Sequence, residues 1–192
     1  MTPMHVLVVN GFARDDESAD LVEHVQKFLT DRGHEVRRSD LALEGFDSFM
    51  SADERAAYHS DRPLITPETV AAAEAVRWAA GLVVCYPIVH GTAPPRVKSW
   101  QERVFVLGVG FEFLPSGRIT GALDLDRACV VGVEPVGAGR GLARRQRSDR
   151  RNDFGPSLAR SFYLSSNRRC RSRYVGIDPD RVARVERVVG RW

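Results

Sequence analysis

Short apolar segments alternate with segments of helical periodicity along most of this chain, and this alternation constrains the fold more than any other feature. The runs at 4–9, 82–86 and 128–133 are predominantly hydrophobic, which is typical of strands buried on both faces. Weaker strand patterns occupy 34–38 and 174–177. Strands buried on both faces belong to parallel sheets that are covered by helices. We therefore predict an α/β domain with a doubly wound parallel sheet of five strands in a three-layer sandwich.

Helix signals fill the intervals between these runs. Ser18 is placed to cap a helix that ends before Gly33, whose lack of a side chain suits the turn after a helix. Residues 68–80 are alanine-rich and favour a helix, and the pair Pro94-Pro95 favours the start of another. A final helix is predicted after Asp178-Pro179. Strands that alternate with helices in this way predict crossover connections between parallel strands.

The length and composition of the chain indicate a soluble protein. With 192 residues it fits one domain (1–192), and 43% hydrophobic and 28% charged residues are ordinary values for such a protein. No run approaches the roughly 18 apolar residues of a membrane helix, and the N-terminus lacks the features of a signal peptide. We therefore expect a cytoplasmic protein without membrane association. The cysteines and histidines show no metal-binding spacing, so we expect no metal site.

One segment is strongly basic. The loop at about 137–155 contains a run of arginines from Arg140 to Arg151, opposed within that run only by Asp149. Such a run is usually a solvated loop, although it can also steer an anionic partner, a phosphorylated cofactor or a nucleic acid. Because no aromatic residues are interleaved with these arginines, nucleic-acid binding is the least favoured of these partners. The sequence leaves the fold of residues 134–173 open, with a lid over the site as one alternative.

The ends of two strands form the candidate ligand site. In a doubly wound sheet, ligands bind at the carboxyl ends of the strands where the winding reverses, which for the order 2-1-3-4-5 lies between strands one and three. In the loop after the first strand, Gly11 permits close backbone approach, while Ser18 and Arg14 offer a hydroxyl and a positive charge to a phosphate. The alternative is that the acidic run Asp15-Asp16-Glu17 only complements the dipole of the following helix.

Two motifs in this chain resemble those of the flavodoxin-like NAD(P)H:quinone oxidoreductase family. After Pro87 the chain is similar to the family pattern in which a strand ends in F-P, a flavin-contacting loop follows, and P-A-x-L-K-x-W-x-D-R-V-F comes next. The matching residues occur at the family's spacing without a gap: Pro94, Lys98, Trp100, Arg103, Val104 and Phe105. The stretch from Phe46 to Tyr58, F-D-S-F-M-S-A-D-E-R-A-A-Y, resembles the family's F-D-P-x-x-S-x-E-E-R-x-x-Y. Residues 174–187 look like the family's last strand and helix.

This resemblance implies a flavodoxin-like fold that binds a flavin, FAD or FMN, and uses NAD(P)H to reduce a quinone. It also implies a homodimer with the site between subunits. The residues that would line the flavin ring are Pro87, Ile88, Val89, His90 and Gly91. Those near the phosphates or the ribityl chain would be Gly11, Phe12 and Ser18, with Arg14 adding a charge.

The chain departs from the family pattern at three flavin-facing positions. His90-Gly91 replaces a tryptophan–phenylalanine pair, Asp15-Asp16-Glu17 replaces basic or neutral residues, and Glu134 with its neighbours replaces T-T-G-G. Two further hypotheses therefore stand beside the flavoenzyme. In one, the pocket binds no flavin, and His90 and Glu134 transfer protons on a small or polycyclic substrate. In the other, the chain is a non-catalytic regulatory subunit that meets an acidic partner through its arginine-rich loop.

Overall fold

A five-stranded parallel sheet forms the centre of the molecule. The computed structural model describes residues 2–14, 20–46, 49–60, 62–134, 154–167, 170–177 and 182–192. The strands are β1 (His5–Asn10), β2 (Glu35–Asp40), β3 (Gly81–Pro87), β4 (Phe111–Phe113), β5 (Ile119–Gly121), β6 (Arg127–Val133) and β7 (Arg171–Ile177). The central sheet has the order β2-β1-β3-β6-β7, with all neighbouring strands parallel. Because β6 and β7 are its fourth and fifth strands, the predicted fold class and the order 2-1-3-4-5 are confirmed.

Helices cover both faces of this sheet. In the described ranges they are α1 (Asp20–Thr30), α2 (Ala52–Ala57), α3 (Pro67–Trp78), α4 (Pro95–Val104), α5 (Phe154–Ser165) and α6 (Ala183–Val189). Val6 and Val8 of β1 belong to the apolar cluster with α1 and α6, whereas Leu7 and Val9 belong to the cluster with α3, α4 and α5. Since successive strand residues point to opposite faces, β1 is buried on both sides, which explains its uninterrupted apolar run. None of these helices is long and apolar enough to cross a membrane.

α2 begins with a capping box formed by Ser51 and Glu54. The Ser51 hydroxyl accepts a hydrogen bond from the Glu54 N–H at 3.1 Å, and the Glu54 carboxylate accepts one from the Ser51 N–H at 2.8 Å. This reciprocal capping box satisfies two backbone donors that a helix start otherwise leaves without partners. The predicted caps at Ser18 and Asp178 lie outside the described residues.

The hairpin of β4 and β5 was not predicted from the sequence. It follows α4, and its two strands are antiparallel with Phe113 opposite Ile119. Each strand has three residues and most of its side chains are exposed or only partly buried. Such short strands carry neither a buried apolar run nor a long alternation, so a periodicity argument has nothing to detect.

α5 occupies part of the stretch 134–173 whose fold the sequence left open. It buries Leu158 and Phe162 in the same apolar cluster as Val130 of β6. A glycine followed by proline at its start weakens the helical pattern in the sequence. β7 begins at Arg171, three residues earlier than predicted. Residues 135–153, which hold nearly all of the arginine-rich loop predicted at about 137–155, lie outside the described residues.

Candidate functional site

The loop after β1 starts with a backbone that is held from three directions. Its Gly11 N–H donates to the Cys85 carbonyl of β3 at 2.8 Å. The Phe12 N–H donates to the side-chain oxygen of Asn10 at 3.0 Å, which forms an Asx turn. The Phe12 carbonyl accepts from Nη1 of Arg96, in the first turn of α4, at 2.9 Å. The loop therefore leaves the carboxyl edge of the sheet along a defined path.

The side of this loop that faces β3 and α4 is closely packed. A Cβ at Gly11 would lie 2.5 Å from Cγ2 of Val97, so a side chain there does not fit between β3 and α4. The Phe12 ring is fully buried in the core with α1, which leaves only the backbone of Phe12 for a ligand. Arg14 is exposed, and Ser18 lies outside the described residues.

The loop after β3 contains a two-residue turn. Val89 and Thr92 exchange both backbone hydrogen bonds, at 2.9 and 3.1 Å. The two residues between them, His90 and Gly91, have φ angles of 50° and 78°. Positive φ at both central residues is the pattern of a type I′ turn, which favours Asn-Gly and similar pairs. Because the turn's own hydrogen bonds use Val89 and Thr92, they do not use the N–H groups of His90 and Gly91 at its exposed tip.

The end of β6 lies beside this turn. Pro87 is in register with Val133, and the Ile88 N–H donates to the Val133 carbonyl at 2.7 Å. Glu134 follows directly, and its N–H donates to the Ile177 carbonyl of β7 at 2.9 Å. The structure thus brings the described residues predicted for the site to one edge of the sheet, at the ends of β1, β3 and β6.

The space at this edge fits a flavin through backbone groups. A Cβ built on Gly91 meets no atom within 4 Å, so the volume beside the turn is open. The N–H groups of His90 and Gly91 are donors of the kind that orient the polar edge of a flat ring. Val89, with 44% of its surface exposed, offers an apolar side chain to such a ring. The aromatic pair of the family pattern is missing here, so the fit depends on backbone donors rather than on ring stacking.

A second polar network lies in the interior between α2, α3 and α4. Arg103 is 4% exposed and donates from Nε to Glu54 at 2.7 Å and from Nη2 to Glu68 at 2.6 Å. Its Nη1 donates to the Gly45 carbonyl at 3.3 Å, and its guanidinium lies 5.3 Å from the centre of the Phe46 ring. The two sequence motifs that carry the family resemblance therefore meet at this arginine.

Burial and hydrogen bonding act in opposite directions on this network. Burial alone would raise the pKa of Glu54, but hydrogen bonds from the Ser51 N–H and from Arg103 hold it below its usual range. The pKa of Glu68 is also lowered, because hydrogen bonds from its own N–H and from Arg103 outweigh the effect of burial. Burial opposes the charge of Arg103 as well, yet both carboxylates raise its pKa. All three groups are therefore ionised at neutral pH and form a fixed link between helices.

Sequence reasoning missed three polar residues at the sheet edge. Nδ2 of Asn10 donates to Oδ1 of Asp40 at 2.5 Å, which joins the ends of β1 and β2, and Arg96 holds the loop from α4. A signal for the first two was present, since Asn10 directly follows the predicted strand 4–9 and Asp40 lies two residues after the predicted strand 34–38. The ends of parallel strands meet at one edge. Arg96 carried no such signal, because its role depends on where α4 packs.

A cleft of about 320 Å³ lies apart from this edge, beside the C-terminal half of α4. Its lining residues are Tyr58, Gln101, Glu102, Phe105, Phe111, Ser161 and Ser165. None of the residues predicted for the ligand site is among them, so the cleft does not enlarge that site.

The winding of the sheet and the position of its open edge define a doubly wound α/β protein of the flavodoxin-like kind. Residues 4–133 match the model of the Flavodoxin_2 family, which is described as having a flavodoxin-like fold. This match spans more than half of the chain, and the chain belongs to that family. The membership expected from the two sequence motifs is thereby confirmed. No curated protein is significantly similar to the chain in sequence.

Solved structures with the same fold include proteins whose names describe them as oxidoreductases or azoreductases. The NAD(P)H:quinone oxidoreductase from Methanothermobacter marburgensis has a TM-score of 0.67 and 21% identity, with 96% of this chain and 93% of that chain covered. An azoreductase from Bacillus anthracis str. Sterne has a TM-score of 0.65 and 16% identity, over 97% and 91% of the two chains. An FMN-dependent NADH-azoreductase from Bacillus anthracis str. Ames Ancestor, solved with FMN, has a TM-score of 0.64 and 14% identity, with 93% of this chain and 88% of that chain covered. At these identities the likeness establishes the fold.

Proposed function

We propose that this protein is a flavin-dependent NAD(P)H oxidoreductase whose electron acceptor is a quinone or a related aromatic compound. The observation that carries the proposal is one edge of the sheet, where a braced loop after β1 lies beside a type I′ turn after β3. The turn's own hydrogen bonds leave out its two tip N–H groups. The names of structural neighbours, a quinone oxidoreductase and an FMN-dependent azoreductase, support the same chemistry here.

The residues of this edge would bind and orient the cofactor. A bound flavin supplies the two-electron chemistry between NAD(P)H and the acceptor. The tip N–H groups of His90 and Gly91 would hold the polar edge of the ring, and Val89 would pack against its face. The backbone of Gly11 and Phe12 would lie along the ribityl chain, with exposed Arg14 adding positive charge near the phosphate. Overall, NAD(P)H, one proton and a quinone yield NAD(P)⁺ and a hydroquinone.

Reconstitution tests this proposal in three steps. Purified protein is incubated with FMN and, separately, with FAD, then desalted, and we expect retained flavin absorbance with one of the two. Anaerobic addition of NADPH or NADH should bleach that absorbance, and a benzoquinone or an azo dye should restore it. A protein that retains neither flavin contradicts the proposal, and a bound flavin that neither nucleotide reduces contradicts the redox activity while leaving flavin binding in place.

One observation favours a second candidate, in which the same edge binds no flavin and catalyses proton transfer. His90 has a left-handed backbone, which is uncommon for a residue other than glycine and often marks a functional site. Glu134 follows Val133, which pairs with the strand that leads to this turn. In that case His90→Ala would abolish turnover of a small substrate while lowering stability by less than about 1 kcal/mol. The hypothesis of a regulatory subunit depends on the arginine-rich loop, most of which lies outside the described residues.

We also propose that the active form is a homodimer. The β4–β5 hairpin exposes Phe113 and Ile119, at 59% and 63%, and the two face each other across the hairpin. Tyr163 and Leu164 of α5 are exposed to a similar degree. Apolar side chains exposed in this way are typical of a surface that a partner covers. Light scattering on the purified protein should give twice the chain mass, and Phe113→Asp should give the monomer mass.

A further inference from the structure

A single side chain connects the loop after β1 to the end of β2. Asn10 is 6% exposed, and its amide group is used at both ends. Nδ2 donates to Oδ1 of Asp40 at 2.5 Å, and Oδ1 accepts from the Phe12 N–H at 3.0 Å. These partners define the orientation of the amide, because the reversed amide would place an oxygen against the carboxylate and an NH₂ group against the N–H.

The carboxylate that receives this hydrogen bond is itself held in place. Arg38 donates to Oδ1 of Asp40 from both Nε and Nη2, at 3.1 and 2.8 Å. The Asp40 N–H donates to the Glu44 carboxylate at 2.9 Å, and the same carboxylate accepts from the Ser39 hydroxyl at 2.6 Å. Asp40 therefore provides Asn10 with an acceptor of defined position, which makes the amide a rigid connection rather than a surface contact.

Phe12, at the other end of this connection, has little freedom left. Its N–H is held by Asn10, its carbonyl by Arg96, and its ring by the core. Backbone that already has its binding conformation lowers the entropic cost of ligand binding, because it does not have to be ordered when the ligand binds. The hydrogen-bonded chain therefore braces the start of the loop that borders the open edge of the sheet, from β2 on one side to α4 on the other.

We infer that Asn10 is a positioning residue for the proposed flavin site, which together with Asp40 holds the backbone of Gly11 and Phe12, at the start of the loop after β1, in its ligand-binding conformation. The inference rests on the proposed function for the identity of the ligand. Asn10 acts through the Phe12 N–H and does not itself touch the cofactor. It was not among the residues that the sequence indicated for the site, and the turn at His90 and Gly91 is a separate part of the same edge.

The test compares Asn10→Ala with variants that alter one group of the Asn10–Asp40 hydrogen bond. In Asn10→Ala both hydrogen bonds are lost, so we expect the Kd for FMN, measured by fluorescence titration, to rise about tenfold or more, as one lost buried hydrogen bond produces. Hydrogen exchange at the Phe12 amide of the flavin-free protein should accelerate by a similar factor. Asn10→Asp should also weaken FMN binding, because two carboxylates then face each other. Asp40→Asn keeps an Oδ1 that can accept both from Nδ2 of Asn10 and from Arg38, so its Kd should stay within about threefold of wild type.

Ser166→Ala is the matched control, because it removes a buried hydrogen bond, to the Leu125 carbonyl at 2.7 Å, at a position outside the site. It should lower Tm without changing the Kd for FMN. Wild-type affinity in a folded Asn10→Ala variant overturns the inference, and so does a Kd for Asp40→Asn as high as that of Asn10→Ala. If wild type itself binds no flavin, the proposed function fails, and exchange at Phe12 alone decides whether Asn10 holds the loop: faster exchange supports it and unchanged exchange overturns it.

Discussion

The two polar networks of this protein use the same kinds of charged groups in different surroundings. Around Arg103 the charges lie in the interior, and the side chains of Arg103 and Glu54 are 3% and 6% exposed. At the edge of the sheet, the side chains of Arg38 and Asp40 are 33% and 25% exposed. The interior network ends on helices α2 and α3, whereas the edge network ends on the backbone of the loop that borders the candidate site.

The interior network joins the two motifs of the family pattern, whereas the edge network supports the site that we propose for a ligand. Removing one partner of a buried ion pair leaves an unpaired charge in the interior and destabilises the fold. Arg103 and its carboxylates are therefore required together. At the edge, the binding that we propose uses backbone N–H groups, which do not require a particular side chain. His90-Gly91 can therefore replace an aromatic pair while the turn still presents its donors. The motifs are accordingly more specific for the fold than for the occupant of the site.

The largest effect is expected from Arg103→Met, which leaves Glu54 and Glu68 without their cation. We expect a loss of about 3–5 kcal/mol in the free energy of unfolding, measured by urea denaturation. Arg55→Met is the matched control, because Arg55 pairs with Glu102 at 3.4 Å on the surface, and it should cost no more than about 0.5 kcal/mol. Equal costs for the two variants would show that the interior network is not what stabilises the contact of α4 with α2 and α3.

Acid should weaken the interior network by protonating Glu54 and Glu68. The pKa values of Glu54 and Glu68 are lowered in the native protein from 4.5, so below that pH the unfolded chain binds more protons than the native state. The stabilisation that these carboxylates provide is thus complete above about pH 4.5 and is lost as the pH falls through their native values. Urea midpoints between pH 7 and pH 3 should show this decline. Arg103→Met, which removes the cause of the lowered values, should show a shallower decline, and parallel curves would contradict the assignment.

A smaller effect should separate binding from stability at the edge. Gly91→Ala places a methyl group in the open space beside the turn, so we expect FMN affinity to fall about tenfold. Gly33→Ala is the control, because Gly33 also has a positive φ, 84°, and open surroundings, but lies after α1. Both should cost about 1–2 kcal/mol of stability through backbone strain. If both variants bind FMN as wild type does, the turn does not border the flavin.

The smallest effect is expected from His90→Asn. The Asn-Gly pair is preferred in type I′ turns, so stability should rise by a few tenths of a kcal/mol because the strain at φ 50° is relieved. FMN affinity should stay unchanged, since the backbone donors remain. Loss of turnover in this variant, with flavin still bound, would instead assign a proton-transfer role to the imidazole.

The sequence predicted the central sheet well because each strand has a local signal. β1 and β3 are continuous apolar runs, and their predicted limits differ from the structure by one residue at each end. β2 was harder to delimit, since Ser39 is its only buried residue and Val36 and Asp40 are only partly buried. The hairpin was not predicted because its short strands lack a buried apolar run. α5 was not predicted because Gly155 and Pro156, near its start, weaken the helical pattern. The site was located by the winding of the sheet, which needs only the order of elements.

Local patterns in this sequence determined the alternation of strands and helices, the family motifs and the edge that we propose as the ligand site. Those features depend on the periodicity of neighbouring residues, which is readable along the chain. The tertiary structure decided which distant polar groups meet. Asn10 is hydrogen-bonded to Asp40, thirty residues away in the sequence, and Arg103 to Glu54, forty-nine residues away. No periodicity encodes such pairs; they exist because helices pack on a sheet at a particular distance and register. These contacts are where the proposed function is most directly tested.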